Sequence, residues 1–123
     1  MPKIVTVKNK NRRIQDPLQV LYCDTFFTQL RGLSFRPRLH LDEGLLLVGK
    51  RDSRLDSSIH MFFVPFDLSV IWINSALQVV DKVLAKPWRP AYFSKQPARF
   101  ALEIHPERWR DFEIGDGVEF RDA

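Results

Sequence analysis

The sequence predicts a mainly β domain: a compact antiparallel β-sandwich or partly closed barrel, with one short helix near residues 25–36 and a helical turn near 106–112. Three observations support this class. Ten Phe and three Trp in 123 residues are a heavy aromatic load, which suits pleated, half-buried surfaces better than a helix bundle. Short apolar runs of strand length recur along the chain, each bounded by Gly, Pro, Ser or charged residues. Strands and helices do not alternate regularly, which argues against a doubly wound parallel sheet.

Along the chain, Ile4–Val7 alternates weakly and reads as an edge strand or a loose arm. Gln19–Cys23 is a short apolar strand. Asp24 or Thr25 then caps a helix whose apolar stripe is Phe26, Phe27, Leu30 and Leu33, and Pro37 ends it. Leu45–Val48, introduced by Gly44, reads as a buried strand, and the charged, Ser-rich stretch Gly49–Ser58 as a solvated, mobile loop. Ile59–Phe63 and Ser69–Ile73 are apolar on both faces, as expected of central strands covered on both sides. Leu77–Leu84 is mixed and suits a strand nearer the edge. Pro87, Pro90 and Pro97 make Lys86–Pro97 a connection. Ala98–His105 has the cleanest alternation, predicting Ala98, Phe100, Leu102 and Ile104 on one face and Arg99, Ala101, Glu103 and His105 on the other. Pro106 suits the start of a helical turn in which Trp109 meets Phe112, and Gly115-Asp116-Gly117 turns into a last strand, Val118–Phe120.

A chain of 123 residues is one domain's length. We divide it into a basic N-terminal arm, residues 1–15, and a single β-rich domain, residues 16–123. The net charge of +4 invites a nucleic-acid reading until the charges are located. Lys3, Lys8, Lys10, Arg12 and Arg13 precede the first acid, Asp16, and the rest of the chain is nearly balanced. The basicity therefore belongs to the arm, where solvation is the expected state and phosphate contact the alternative. Cys23 stands alone, which excludes an internal disulfide and allows a reducing compartment. The N-terminus has no apolar run of signal-peptide length, and no segment reaches the ~18 uninterrupted apolar residues of a membrane span. A soluble, cytoplasmic protein is the expectation.

Three blocks carry a family resemblance: RGLSFRPRLHLDEGLLLV (31–48), IHMFFVPFDLSVIWINSALQVV followed by KPWR (59–89), and ALEIHPERW with IGDGV (101–118). Their order and spacing resemble the domain-of-unknown-function 192 family over most of the chain. The resemblance implies a compact β domain with one short helix and supplies no chemistry. It also marks departures. Val64, Pro65 and Asp67-Leu68-Ser69 stand where the family has a Met, a basic residue and Pro-x-Asp, and Leu77 occupies the usual turn glycine.

The polar residues within apolar sequence are the candidate site. His60, Asp67 and Ser69 lie close together, and Glu103 could approach them across a sheet, so a His–carboxylate pair could act as a general base. The structural alternative is that these groups are simply satisfied at strand ends. A Ser–His–Asp triad lacks the Gly-rich elbow that exposes a nucleophile. His40, His60 and His105 are widely spaced, without Cys-x-x-Cys or His-x-x-x-His, so no metal is expected, and the scattered glycines offer no phosphate loop. No cofactor is expected. Trp88 and Arg89, in KPWRP, could present an indole and a guanidinium to a planar or anionic ligand, or the indole could plug an open end of the β core.

These residues define the leading expectation: a small soluble binding or accessory module with a polar and aromatic rim, His60, Asp67, Ser69, Trp88, Arg89 and Glu103. Its partner would be a small molecule or a protein, with no membrane and no expected nucleic acid. The alternatives are a small hydrolase- or isomerase-like enzyme using His60 with Asp67 or Glu103, and nucleic-acid association through the arm.

Overall fold

The computed structural model describes residues 3–25, 33 and 37–123. The helix expected near 25–36 lies outside the described residues, apart from Thr25 and Leu33. The strands are β1 (Lys3–Asn9), β2 (Gln19–Cys23), β3 (Gly44–Ser53), β4 (Leu68–Ile73), β5 (Val79–Ala85), β6 (Ala98–Ile104) and β7 (Val118–Asp122). They form one sheet in the order β5-β4-β6-β3-β2-β1-β7. Its ends meet at a corner. Gln78 bridges Gly117, the Val79 amide donates to the Asp116 carbonyl at 2.8 Å, and the Gly115 amide donates to the Val79 carbonyl at 2.8 Å. The molecule is thus the mainly β, partly closed barrel that the sequence predicts, and not a sandwich of two sheets. One pair departs from the antiparallel expectation: β2 and β3 run parallel, with Leu21 opposite Leu45 and Cys23 opposite Leu47.

Both faces of the curled sheet are apolar, and each buries a core. Inside the curl, Val5, Val7, Val20, Leu46, Val48, Ile71, Ile73, Phe100, Leu102 and Ile104 pack with Phe112 and Val118. On the outer face Leu45, Val70, Trp72 and Ala101 are covered by Leu39, Ile59, Met61 and Val64 from the connections. β4 is buried at every position, as its unbroken apolar run requires. β1 lies between β2 and β7, so it does not take an edge position.

Two sequence expectations are corrected. Ile59–Phe63 is not a strand. It crosses the outer face with one isolated bridge, Ile59 to Tyr92, and turns at Met61–Val64, where the Val64 amide donates to the Met61 carbonyl at 3.2 Å. Its apolar residues cover a sheet face rather than sit within the sheet. Gly49–Ser58 is not all loop, because β3 continues to Ser53, which pairs with Ala98 beyond an irregularity. The turn after it is anchored, since the buried Trp72 indole donates to the Ser57 carbonyl at 2.8 Å. Ala101 and Glu103 lie on the face opposite Phe100 and Leu102, and the outer-face covering buries both. The helical turn is a 3₁₀ helix, Pro106–Asp111, capped by His105 Nδ1, which accepts from the Glu107 amide.

Candidate functional site

Two connections, residues 54–67 and 86–97, lie side by side. The Met61 amide donates to the Arg89 carbonyl at 2.8 Å, and the Trp88 amide donates to the Met61 carbonyl at 2.9 Å. Ile59 and Tyr92 exchange both backbone bonds, at 3.0 and 2.9 Å. The Tyr92 hydroxyl accepts from the Lys86 amide at 2.8 Å, which fixes the start of the second connection.

This frame presents an aromatic rim. Phe63 and Trp88 have φ of 60° and 68°, a left-handed region that bulky L-residues rarely adopt. Their rings meet edge to face at 5.1 Å, yet the residues remain 48% and 54% exposed. Phe62 is also exposed and lies 5.6 Å from the His60 ring. Arg89 is exposed, with its guanidinium 6.0 Å from the Tyr92 ring centre. Trp88 therefore does not plug the barrel.

Beneath the first connection a cavity of about 60 Å³ is lined by Leu47, Ala101 and Glu103 from the sheet and by Ser57, Ser58 and His60 from the covering segment. Glu103 stands opposite Leu45 on one side and Val70 on the other. It is 4% exposed, and no hydrogen bond or ion pair reaches its carboxyl among the described residues. Burial pushes that carboxyl up to about 8. The nearby Cys23 thiol is pushed up to about 11, by burial first and then by the negative charges of Glu103 and Asp24. His60 Nδ1 accepts from the Phe62 amide at 3.2 Å.

The remaining predicted residues lie elsewhere. Asp67 pairs with Lys86 at 3.1 Å beside a separate cleft that includes His105. Ser69 is fully buried, on the opposite sheet face from Glu103, and its hydroxyl donates to the Pro106 carbonyl at 3.2 Å. His60 and Glu103 share a cavity, while Asp67 and Ser69 do not line it. In the arm, Lys3 pairs with Asp122 at 3.0 Å and Arg12 with Asp116 at 2.6 Å. Sequence reasoning missed Phe62 and Phe63 as rim residues. It also missed Ser57, Ser58, Asp56 and Arg99 as cavity residues; each reads as ordinary loop or strand polarity until the covering segment is placed. Among the described residues no group of three or more His, Cys, Asp or Glu is arranged to hold a metal ion. No helix among them is long and apolar enough to cross a membrane.

A partly closed seven-stranded sheet, with its outer face covered by rim-bearing connections, defines a class of small mainly β proteins. The chain belongs to the DUF192 family, described as an uncharacterised ACR, whose model matches residues 5–121. A UPF0127 protein of Thermococcus sibiricus is 35% identical over 104 residues, covering 83% of this chain and 66% of that one. A UPF0127 protein of Thermococcus gammatolerans is 39% identical over 99 residues, covering 79% and 63%. The chain thus spans slightly less than two thirds of the length of these relatives. A crystal structure of a protein of unknown function from Novosphingobium aromaticivorans superposes with a TM-score of 0.80 at 23% identity, over 94% of this chain and 83% of that one. That likeness concerns the fold.

Proposed function

We propose that this chain is a small binding module whose rim, Phe62, Phe63, Trp88 and Arg89 beside His60, takes a planar, anionic ligand or partner group. The observation that supports this reading is the paired left-handed backbone at Phe63 and Trp88. Each such conformation costs on the order of 1–3 kcal/mol. Here it sets two packed rings that both stay half exposed. A held pair of aromatic rings offers stacking area at little further ordering cost, and Arg89 adds a planar fork of donors. From Lys86 to Arg99 the chain carries four cations and no carboxylate, which favours an anionic group on the ligand.

Trp88 reports on this rim, because Trp72 is buried and Trp109 is partly buried beneath Lys82, 4.1 Å from its ring. Titration with mononucleotides and aromatic carboxylates is expected to quench or shift the emission of the exposed indole, and Phe63→Ala is expected to weaken binding while leaving the fluorophore in place. Unchanged emission with every ligand of both classes would remove the reading.

One observation favours a second reading, a hydrolase- or isomerase-like enzyme: His60 and Glu103 line the same cavity. Such a pair would move a proton between the carboxyl and a bound substrate. Asp67 and Ser69 have no part in that arrangement.

A further inference from the structure

The cavity beneath residues 56–60 is notable for the imbalance of its hydrogen-bonding groups. The Ser57 hydroxyl donates its one proton to the Ser53 carbonyl at 2.5 Å, and the Ser58 hydroxyl donates to the Leu55 carbonyl at 2.7 Å. Each serine oxygen is left with lone pairs only. Glu103, nine-tenths buried and without a protein partner among the described residues, lines the same space. The Asp56 carboxylate lies on the lining too, held only loosely by Arg51 at 3.8 Å. On the donor side, Arg99 has its Nε committed to the Gly49 carbonyl at 3.0 Å, and its guanidinium lies over the Phe100 ring. Among the described residues the side-chain acceptors of Glu103, Asp56, Ser57 and Ser58 thus outnumber the donors, which on Arg99 are the terminal N–H groups.

We propose that this cavity binds a primary ammonium group, with the Glu103 carboxylate as its counter-ion and the Ser57 and Ser58 oxygens as further acceptors. A primary ammonium carries three donors on one compact charge, which matches a carboxylate and two donor-spent hydroxyls. A metal ion is the poorer match, because no set of three or more strong ligand side chains converges among the described residues. A volume of about 60 Å³ admits the nitrogen and one or two carbons. The ligand is then a small free amine, or the tip of a longer one such as a lysyl side chain that enters from the mouth. This proposal stands apart from the rim: it places a cation under the covering segment, whereas the rim takes an anion on the surface.

Binding of a cation at Glu103 displaces the carboxyl's proton, so it strengthens as pH rises toward 8 and above. Among the described residues, the other titratable or charged groups around Glu103 are Cys23 on β2, Asp56 and His60 on the covering segment, and Arg99 on β6. The Cys23 thiol stays neutral up to about 11, so it adds no charge to the cavity over the pH range of the test.

The test is thermal unfolding of the full chain at pH 8.5 in methylammonium chloride, against equal concentrations of tetramethylammonium chloride, which has the charge but no N–H donor. Methylammonium is expected to raise Tm by about 3 °C over tetramethylammonium, with the increment shrinking at pH 6 and absent in Glu103→Gln. Trp88→Ala is expected to keep the increment, which separates failure of this site from failure of the rim. Nα-acetyl-lysine amide serves as a second ligand. An increment with both amines supports a lysyl source, and one with methylammonium alone supports a free amine. Equal Tm in the two salts, an increment that survives Glu103→Gln, or one that grows at pH 6 would overturn the proposal. Should Glu103→Gln fail to fold, the salt comparison and its pH dependence decide on the wild-type chain alone.

Discussion

Glu103 sits where a charge is least welcome, and its proton follows. Burial raises the carboxyl from its ordinary 4.5 to about 8 in the folded chain. The folded state therefore binds a proton that the unfolded state has released, across the interval between those two values. Stability falls as pH rises from about 4.5 to about 8 and then levels, with a total loss on the order of a few kcal/mol. Glu103→Gln keeps the shape without the titration. Urea unfolding between pH 5 and 9 should give a descending curve for wild type and a flatter one for the variant, with the variant the more stable at pH 9. The same residue marks how far the site was legible. Alternation in Ala98–His105 separated Glu103 from Phe100 and Leu102 correctly, because period two needs only local sequence. It could not show that residues distant in sequence cover the second face. The strained pair Phe63 and Trp88 was equally hidden, since no residue type at those positions announces a positive φ. Leu77 is the instructive contrast. The resemblance implies a turn glycine at its position, and it adopts φ 61°, a backbone that glycine enters without steric cost.

The 3₁₀ helix Pro106–Asp111 is held by its buried Arg108. The guanidinium donates to Asp111 Oδ2 at 2.8 Å and to the carbonyls of Asp16 at 2.7 Å, Leu41 at 3.1 Å and Pro17 at 3.4 Å. One side chain thereby ties the helix to two connections far away in sequence. Arg108→Ala would remove these four bonds together with the buried guanidinium that makes them, and is expected to cost about 1–3 kcal/mol in urea unfolding. Arg108→Lys should recover only a small part, because an ammonium cannot span the fork. β2, β4 and β6 were readable nearly to their ends, since pairing and burial coincide in them. Ile59–Phe63 was misread because an apolar run does not report pairing: Ile59 and Met61 are buried against a sheet that the run does not join, while Phe62 and Phe63 stay half exposed. Residues 49–53 were missed for the opposite reason: that half of β3 pairs while remaining polar and exposed.

Closure of the sheet depends on Asp116. Its buried carboxylate accepts from Arg12 Nε at 2.6 Å, a second Arg12 nitrogen at 2.9 Å, Asn9 Nδ2 at 2.8 Å and the Glu113 amide at 2.9 Å. The Arg12 bond, followed by those from Asn9 and Glu113, holds the carboxyl far below the usual carboxylate range, while burial opposes them. The folded value is depressed, so this contribution is fully present above the ordinary 3.8 and is lost as pH falls below it. Asp116→Asn is expected to lose about 1–3 kcal/mol at pH 7 and to flatten the acid limb of the stability curve below pH 4, both measurable by denaturation monitored with circular dichroism. The resemblance read from three sequence blocks reached this scale, because their order along the chain reflects the whole sheet. The sheet order itself also governs when the protein can form. β1 lies against β7, with Val5 opposite Asp122, so β1 waits for a strand that is far away in sequence. On the ribosome, β1 can pair with β2 early, but its other edge stays open until Val118–Asp122 has emerged. Until β7 is made, that edge is a template for any extended chain nearby, and the domain is open to mispairing for as long as the intervening residues take to synthesise.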